Sequence, residues 1–237
     1  MQALEDFRTA YSKSHEPLYA KNIAMTLVKL ERYDEARTLL KDSHTVQLLE
    51  TCGCLDELYT ALGDDEMARK VVDQKKAKEP ESANALNSRC WVYALTNALD
   101  ASVFQDCERA VELDPKSGDI LGSLAYARYK MGSDLGKGIQ EFDKAILLLA
   151  GKKFNQGEAY YFRGVIYDAM GETRNAQADY AKAVDLTYII TAHDRRLDVP
   201  TPDVIAKIKA QYPNSNLGTP NWGPPLGPPQ RKPGSPR

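Results

Sequence analysis

Apolar residues along this chain return at every third or fourth position for about a dozen residues, then yield to a short polar or glycine-containing stretch. Residues 158–186 show this most clearly. EAYYFRGVIYDAMG and ETRNAQADYAKAVDL each carry apolar or small side chains at helical spacing. The pattern predicts two helices joined by a tight turn, with Gly171 ending the first. The start of the chain behaves alike: in ALEDFRTAYSKSHEP, Leu4, Phe7 and Tyr11 share one helical face.

The helix pair recurs. Counted from Gly157 as position 1, small or aromatic residues stand at positions 8, 11, 15, 20, 24 and 27, which are Gly164, Tyr167, Gly171, Ala176, Tyr180 and Ala183. This spacing resembles the tetratricopeptide repeat, a helix–turn–helix of about 34 residues. Positions 8 and 20 must be small because the two helices cross there. Further copies lie in ERYDEARTLL, ALGDDEMARKVV, SVFQDCERAVELDP and KGIQEFDKAILLLA. Their position-20 residues, Ala36, Ala68, Val103 and Gly138, lead to Ala176 at intervals of 32, 35, 35 and 38. Ala3, Phe7 and Ala10 fit positions 20, 24 and 27 of a copy whose first helix is missing. In the second copy Gly53 falls inside the expected first helix, at a cost of about 1 kcal/mol relative to Ala.

The resemblance implies an all-α, right-handed α-solenoid. Residues 1–15 form an N-terminal half-repeat or capping helix, and 16–190 five repeats. Residues 191–212 form a loop and a C-terminal capping helix beginning near Pro202, since a solenoid needs its open end covered. Residues 213–237 form a Pro/Gly-rich disordered tail, read as a spacer although PPLGPPQR approaches a polyproline ligand.

Composition narrows the function. Hydrophobic residues make up 43% and charged residues 27%, a globular balance. A net charge of −2 gives no basic excess for nucleic acid. No apolar run approaches the roughly 18 residues of a membrane span. Three histidines, His15, His44 and His193, stand apart from any HExxH spacing, and no G-x-S-x-G or phosphate loop occurs. The chain is therefore read as non-enzymatic, without cofactor or metal.

What remains is recognition. In the family the first helices line a concave groove that holds a peptide or partner protein. Carried over by position, that groove takes Lys21, Met25 and Val28 from the first repeat, and Glu50, Glu57 and Thr60 from the second. The third supplies Asn84, Asn87 and Trp91, the fourth Asp119, Tyr126 and Tyr129, the fifth Glu158, Tyr161 and Asp168. The predicted partner-binding residues are Asn87, Trp91, Tyr126, Tyr129 and Tyr161, an aromatic surface suited to protein contact. A chaperone-type carboxylate clamp is not expected, because Met25 stands where Asn is wanted. Arg89 and Arg163 share position 7 and are read as structural, lying along the hairpin.

Cys90 and Cys107 fall at positions that face each other across the third hairpin. The resemblance thus allows a disulfide, which would favour an oxidising compartment such as a periplasm over the cytoplasm. Cys52 and Cys54, two apart on an expected helix, point to different faces. Two rival readings accompany the scaffold. The chain is the helical portion of a larger bacterial envelope protein or enzyme, or it is a thiol-dependent redox or metal-responsive module.

Overall fold

The computed structural model describes residues 2–186; the predicted capping helix, the tail and His193 lie outside them. Twelve helices and no strands make up the described residues. α1 (Gln2–Ser14) packs against α2 (Pro17–Lys29). Its buried residue is Leu4, with Phe7 and Tyr11 half-buried against the same core as Ile23 and Leu27. Ala3 itself is exposed, while Phe7 and Ala10 of the expected register are half-buried and Leu4 takes the most covered place on that face.

α3 (Tyr33–Leu39) and α4 (Ser43–Thr51) follow, then α5 (Leu55–Leu62) and α6 (Asp65–Lys78). The single first helix expected for the second copy is broken. Gly53 has φ +64, a left-handed conformation that costs glycine nothing and stops α4 before α5 begins. Glu50 therefore sits on α4 while Glu57 and Thr60 sit on α5, and Thr60 is buried.

Beyond this point the hairpins are regular: α7 (Ala83–Leu95) with α8 (Ala101–Leu113), α9 (Gly118–Lys130) with α10 (Leu135–Leu148), α11 (Lys153–Ala169) with α12 (Thr173–Asp185). Side chains set their starts. Ser82, Asp100, Ser117 and Asp134 each accept from the backbone N–H three residues on, satisfying a donor the helix leaves open. Left-handed residues set the turns within pairs: Glu31, Gly63, Asn97, Gly132 and Gly171 all have positive φ.

The small-residue rule has a steric basis that can be read directly. A Cβ on Gly164 would lie 2.8 Å from the Tyr180 ring and 3.3 Å from the Ala176 carbonyl oxygen. Every position-20 residue, from Ala36 to Ala176, is buried.

Successive first helices α7, α9 and α11 touch one another, whereas α8, α10 and α12 make no comparable contact. The second helices splay outward, and arginines fill the wedges between them. Arg89 on α7 reaches Asp73 on α6 at 2.6 Å and also Asp106 on α8, which Lys76 holds at 2.8 Å. Arg128 on α9 makes paired bonds of 3.0 and 2.9 Å to Glu141 on α10. Arg163 on α11 makes paired bonds of 2.8 and 2.7 Å to Asp179 on α12 and a third to Asp143 on α10. The largely buried pairs to Asp106, Glu141 and Asp179 lie within hairpins, while Arg89 and Arg163 also tie neighbouring units together through the half-exposed Asp73 and Asp143, and so do more than lie along their hairpins. The bonds to Glu141 lift the Arg128 pKa above its usual value against the opposing effect of burial.

Two cores result. One joins α1, α2, α3, α4 and α5, and the other spans α7 to α12 around Tyr126, Phe142, Phe162 and Tyr180. Between them lies a small cluster of Ala68, Val72 and Val92, with Tyr59 and Tyr93 half-buried against it.

Candidate functional site

The touching first helices leave a concave recess. Its cavity of about 270 Å³ is lined from α7 by Asn87 and Trp91, and from α9 by Asp119, Gly122 and Ser123. α11 adds Asn155, Glu158 and Phe162. Helical periodicity explains the set: 87 and 91, 119 and 122, and 155, 158 and 162 each lie on one face of their helix. Gly122 opens the floor. With no side chain there, the recess reaches Phe142, whose ring would meet a Cβ on Gly122 at 3.6 Å.

The back wall is aromatic. Trp91 meets the Phe162 ring edge-on at 5.5 Å and lies 5.4 Å from Tyr126, while Tyr126 and Phe162 are 4.7 Å apart. The polar side of the wall is made by Asn155, whose Nδ2 donates to Asp119 Oδ1 at 2.9 Å and so joins α11 to α9. Asn87 Oδ1 is buried with no hydrogen-bond partner.

The expected groove residues divide. Asn87 and Trp91 line the recess, as do Asp119 and Glu158. Tyr126 and Tyr161 are both fully buried, with the Tyr161 ring 5.5 Å from Phe162 and from Tyr180. Tyr129 is half-buried beside Tyr126, and Lys130 Nζ lies over both rings. The physical reason is rotation. Tyr160, Tyr161 and Phe162 are consecutive, and one step along a helix turns a side chain by about 100°. Phe162, Gly122 and Asn155 are missing from the sequence-based set. Gly122 had a signal, since it follows Asp119 by one helical turn, but a glycine offers no side chain to notice.

The cysteines lie in pairs. Cys90 Sγ is 2.07 Å from Cys107 Sγ, with Cα atoms 5.1 Å apart and both residues buried. The break at Gly53 brings Cys52 and Cys54 together as well, which a continuous helix would have prevented. No group of three or more His, Cys, Asp or Glu is placed to hold a metal among the described residues. None of the described helices is long and apolar enough to cross a membrane.

Stacked antiparallel helix pairs with a recess along their inner helices define the class: an α-solenoid. The family profile described as Tetratricopeptide repeat matches residues 157–188, the α11–α12 hairpin and the residues just after it. A tetratricopeptide repeat protein from Parabacteroides merdae shares the fold, with 22% identity, 89% of this chain and 79% of that one covered, and a TM-score of 0.53. MamA of MSR-1 is a more distant likeness, at 18% identity, 72% and 96% coverage, and a TM-score of 0.43. No match emerges among curated proteins.

Proposed function

We propose that this scaffold holds a peptide segment of a partner protein in the recess formed by α7, α9 and α11. The observation that carries the reading is the cavity itself: a concave, aromatic-backed space at the junction of three inner helices, with polar groups along one wall. Aromatic anchors at the centre of such a site supply large contact area with few rotatable bonds. Peptides selected from a random library on the wild-type protein test it. Trp91→Ala should weaken their binding by about 2 kcal/mol or more. Gly122→Leu, which fills the floor, should abolish binding while the helical circular-dichroism signal persists. Peptides that bind both variants as tightly as wild type would remove the recess as the site.

The same reading treats Cys90–Cys107 as a disulfide that fixes α7, and with it Trp91, against α8. The Cα separation of 5.1 Å lies within the range bridges require. Such a bridge points to folding in an oxidising compartment such as a bacterial periplasm. Reduction should lower stability by about 3 kcal/mol, measured by urea unfolding with and without reductant. Alkylation of unfolded, unreduced protein that labels Cys90 and Cys107 fully would exclude the bridge.

A further inference from the structure

We propose that the recess selects a peptide carrying a lysine or arginine side chain at the position that enters it. This rests on the peptide-binding reading above and gives the ligand a chemistry.

The lining has one sign. Asp119 and Glu158 contribute carboxylates, and among the described residues no lysine or arginine lines the cavity. Asn155 pins one oxygen of Asp119 from across the recess, which fixes the carboxylate and leaves its second oxygen to accept another donor. Asn87 Oδ1, buried without a partner on the α7 side, is again an acceptor. A guanidinium or ammonium group brings several donors and no acceptor, the complement of these walls. A peptide carboxylate would instead meet the like charge of Asp119 in a partly desolvated space.

The aromatic wall favours the same ligand. A cation over an indole or phenyl face within about 6 Å is attracted by the ring quadrupole. Trp91 and Phe162 frame the cavity, with the Phe162 ring edge-on to Trp91 at 5.5 Å. The long apolar stem of lysine or arginine suits the floor at Gly122 and Phe142, with its charged head at Asp119.

The test uses one peptide recovered from the library selection, fluorescein-labelled, in four versions that differ only at the entering residue: Arg, Lys, norleucine or Glu. Fluorescence anisotropy on the intact protein should show Arg and Lys binding about tenfold tighter than norleucine, with Glu weakest. The margin should shrink as salt rises. Asp119→Asn combined with Glu158→Gln should erase the margin while leaving norleucine affinity in place. If norleucine binds as well as Arg at both low and high salt, yet binding still depends on Trp91, the charge preference is overturned and the recess stands. If no version binds in a Trp91-dependent way, the recess itself fails and the preference with it. The salt series on wild type keeps the test decisive even if the double variant does not fold.

Discussion

Tyr161→Ala should lower the unfolding free energy by about 3–5 kcal/mol. That is a large part of the stability a domain of this size possesses. Tyr161 is fully buried, with the Phe162 ring edge-on at 5.5 Å and the Tyr180 ring at 5.5 Å. Truncation leaves a cavity between two helices of one hairpin, and the position-24 residue Tyr180 loses the ring contact with Tyr161. Urea unfolding followed by far-ultraviolet circular dichroism reads the effect directly. A variant that unfolds with the wild-type midpoint but loses peptide binding would put Tyr161 in the recess after all. Trp91→Ala supplies the contrast: its expected loss is in affinity.

The second large effect belongs to the arginine ties. Arg163→Met should cost about 3–5 kcal/mol, because it strips Asp179 of its bidentate partner and leaves a buried carboxylate unpaired. Burial already holds the Asp179 carboxyl above its ordinary range in spite of Arg163. Burial, the largest single influence, opposes the Arg163 charge, but the bonds and charges of Asp179 and Asp143 together outweigh it and leave its pKa raised. The sign of the pH dependence follows. A carboxyl whose folded pKa lies above its unfolded one is penalised as pH rises through the ordinary range and beyond, and the penalty fades once acid protonates it in both states. Without Arg163 the Asp179 pKa rises further, so the deficit of the variant should be larger at neutral pH than in mild acid. Arg163→Met with Asp179→Leu should recover much of the loss, since no charge is then buried. Thermal melts of the single and double variants at two pH values make the measurement. An equal deficit at both pH values, or no recovery in the double variant, would mean that the packing of the arginine stem rather than its charge matters.

How much of this was visible in the chain differs by feature. The repeat was legible because its constraint is steric and local: two backbones cross, so Gly164 and Ala176 must be small, and small residues at fixed intervals show in a string of letters. The turn glycines 63 and 171 were legible for a similar reason. The faces of the aromatic residues were not. YYF offers three rings within one turn, and which of them points inward depends on a rotation that only the packing partners settle. The result put Phe162 at the recess and Tyr161 in the core. Gly53 was read as a flaw in a helix, although its positive φ ends one helix and leads to the next. The acidic partners of Arg89 and Arg163 lie 16 to 20 residues away on other helices. Nothing in local spacing links them, because the link is made by the splay of the second helices.

The narrow cluster of Ala68, Val72 and Val92 between the two cores has a mechanical meaning. In a chain of stacked units each contact is with a neighbour, and cooperativity passes only as far as the weakest junction allows. The joint at α6 and α7 adds polar links to that small apolar contact: Arg89 and Tyr93 reach Asp73, and Lys76 reaches Asp106. Coupling between the α1–α5 core and the α7–α12 core passes through charge pairs there, so salt should loosen that coupling more than it loosens either core.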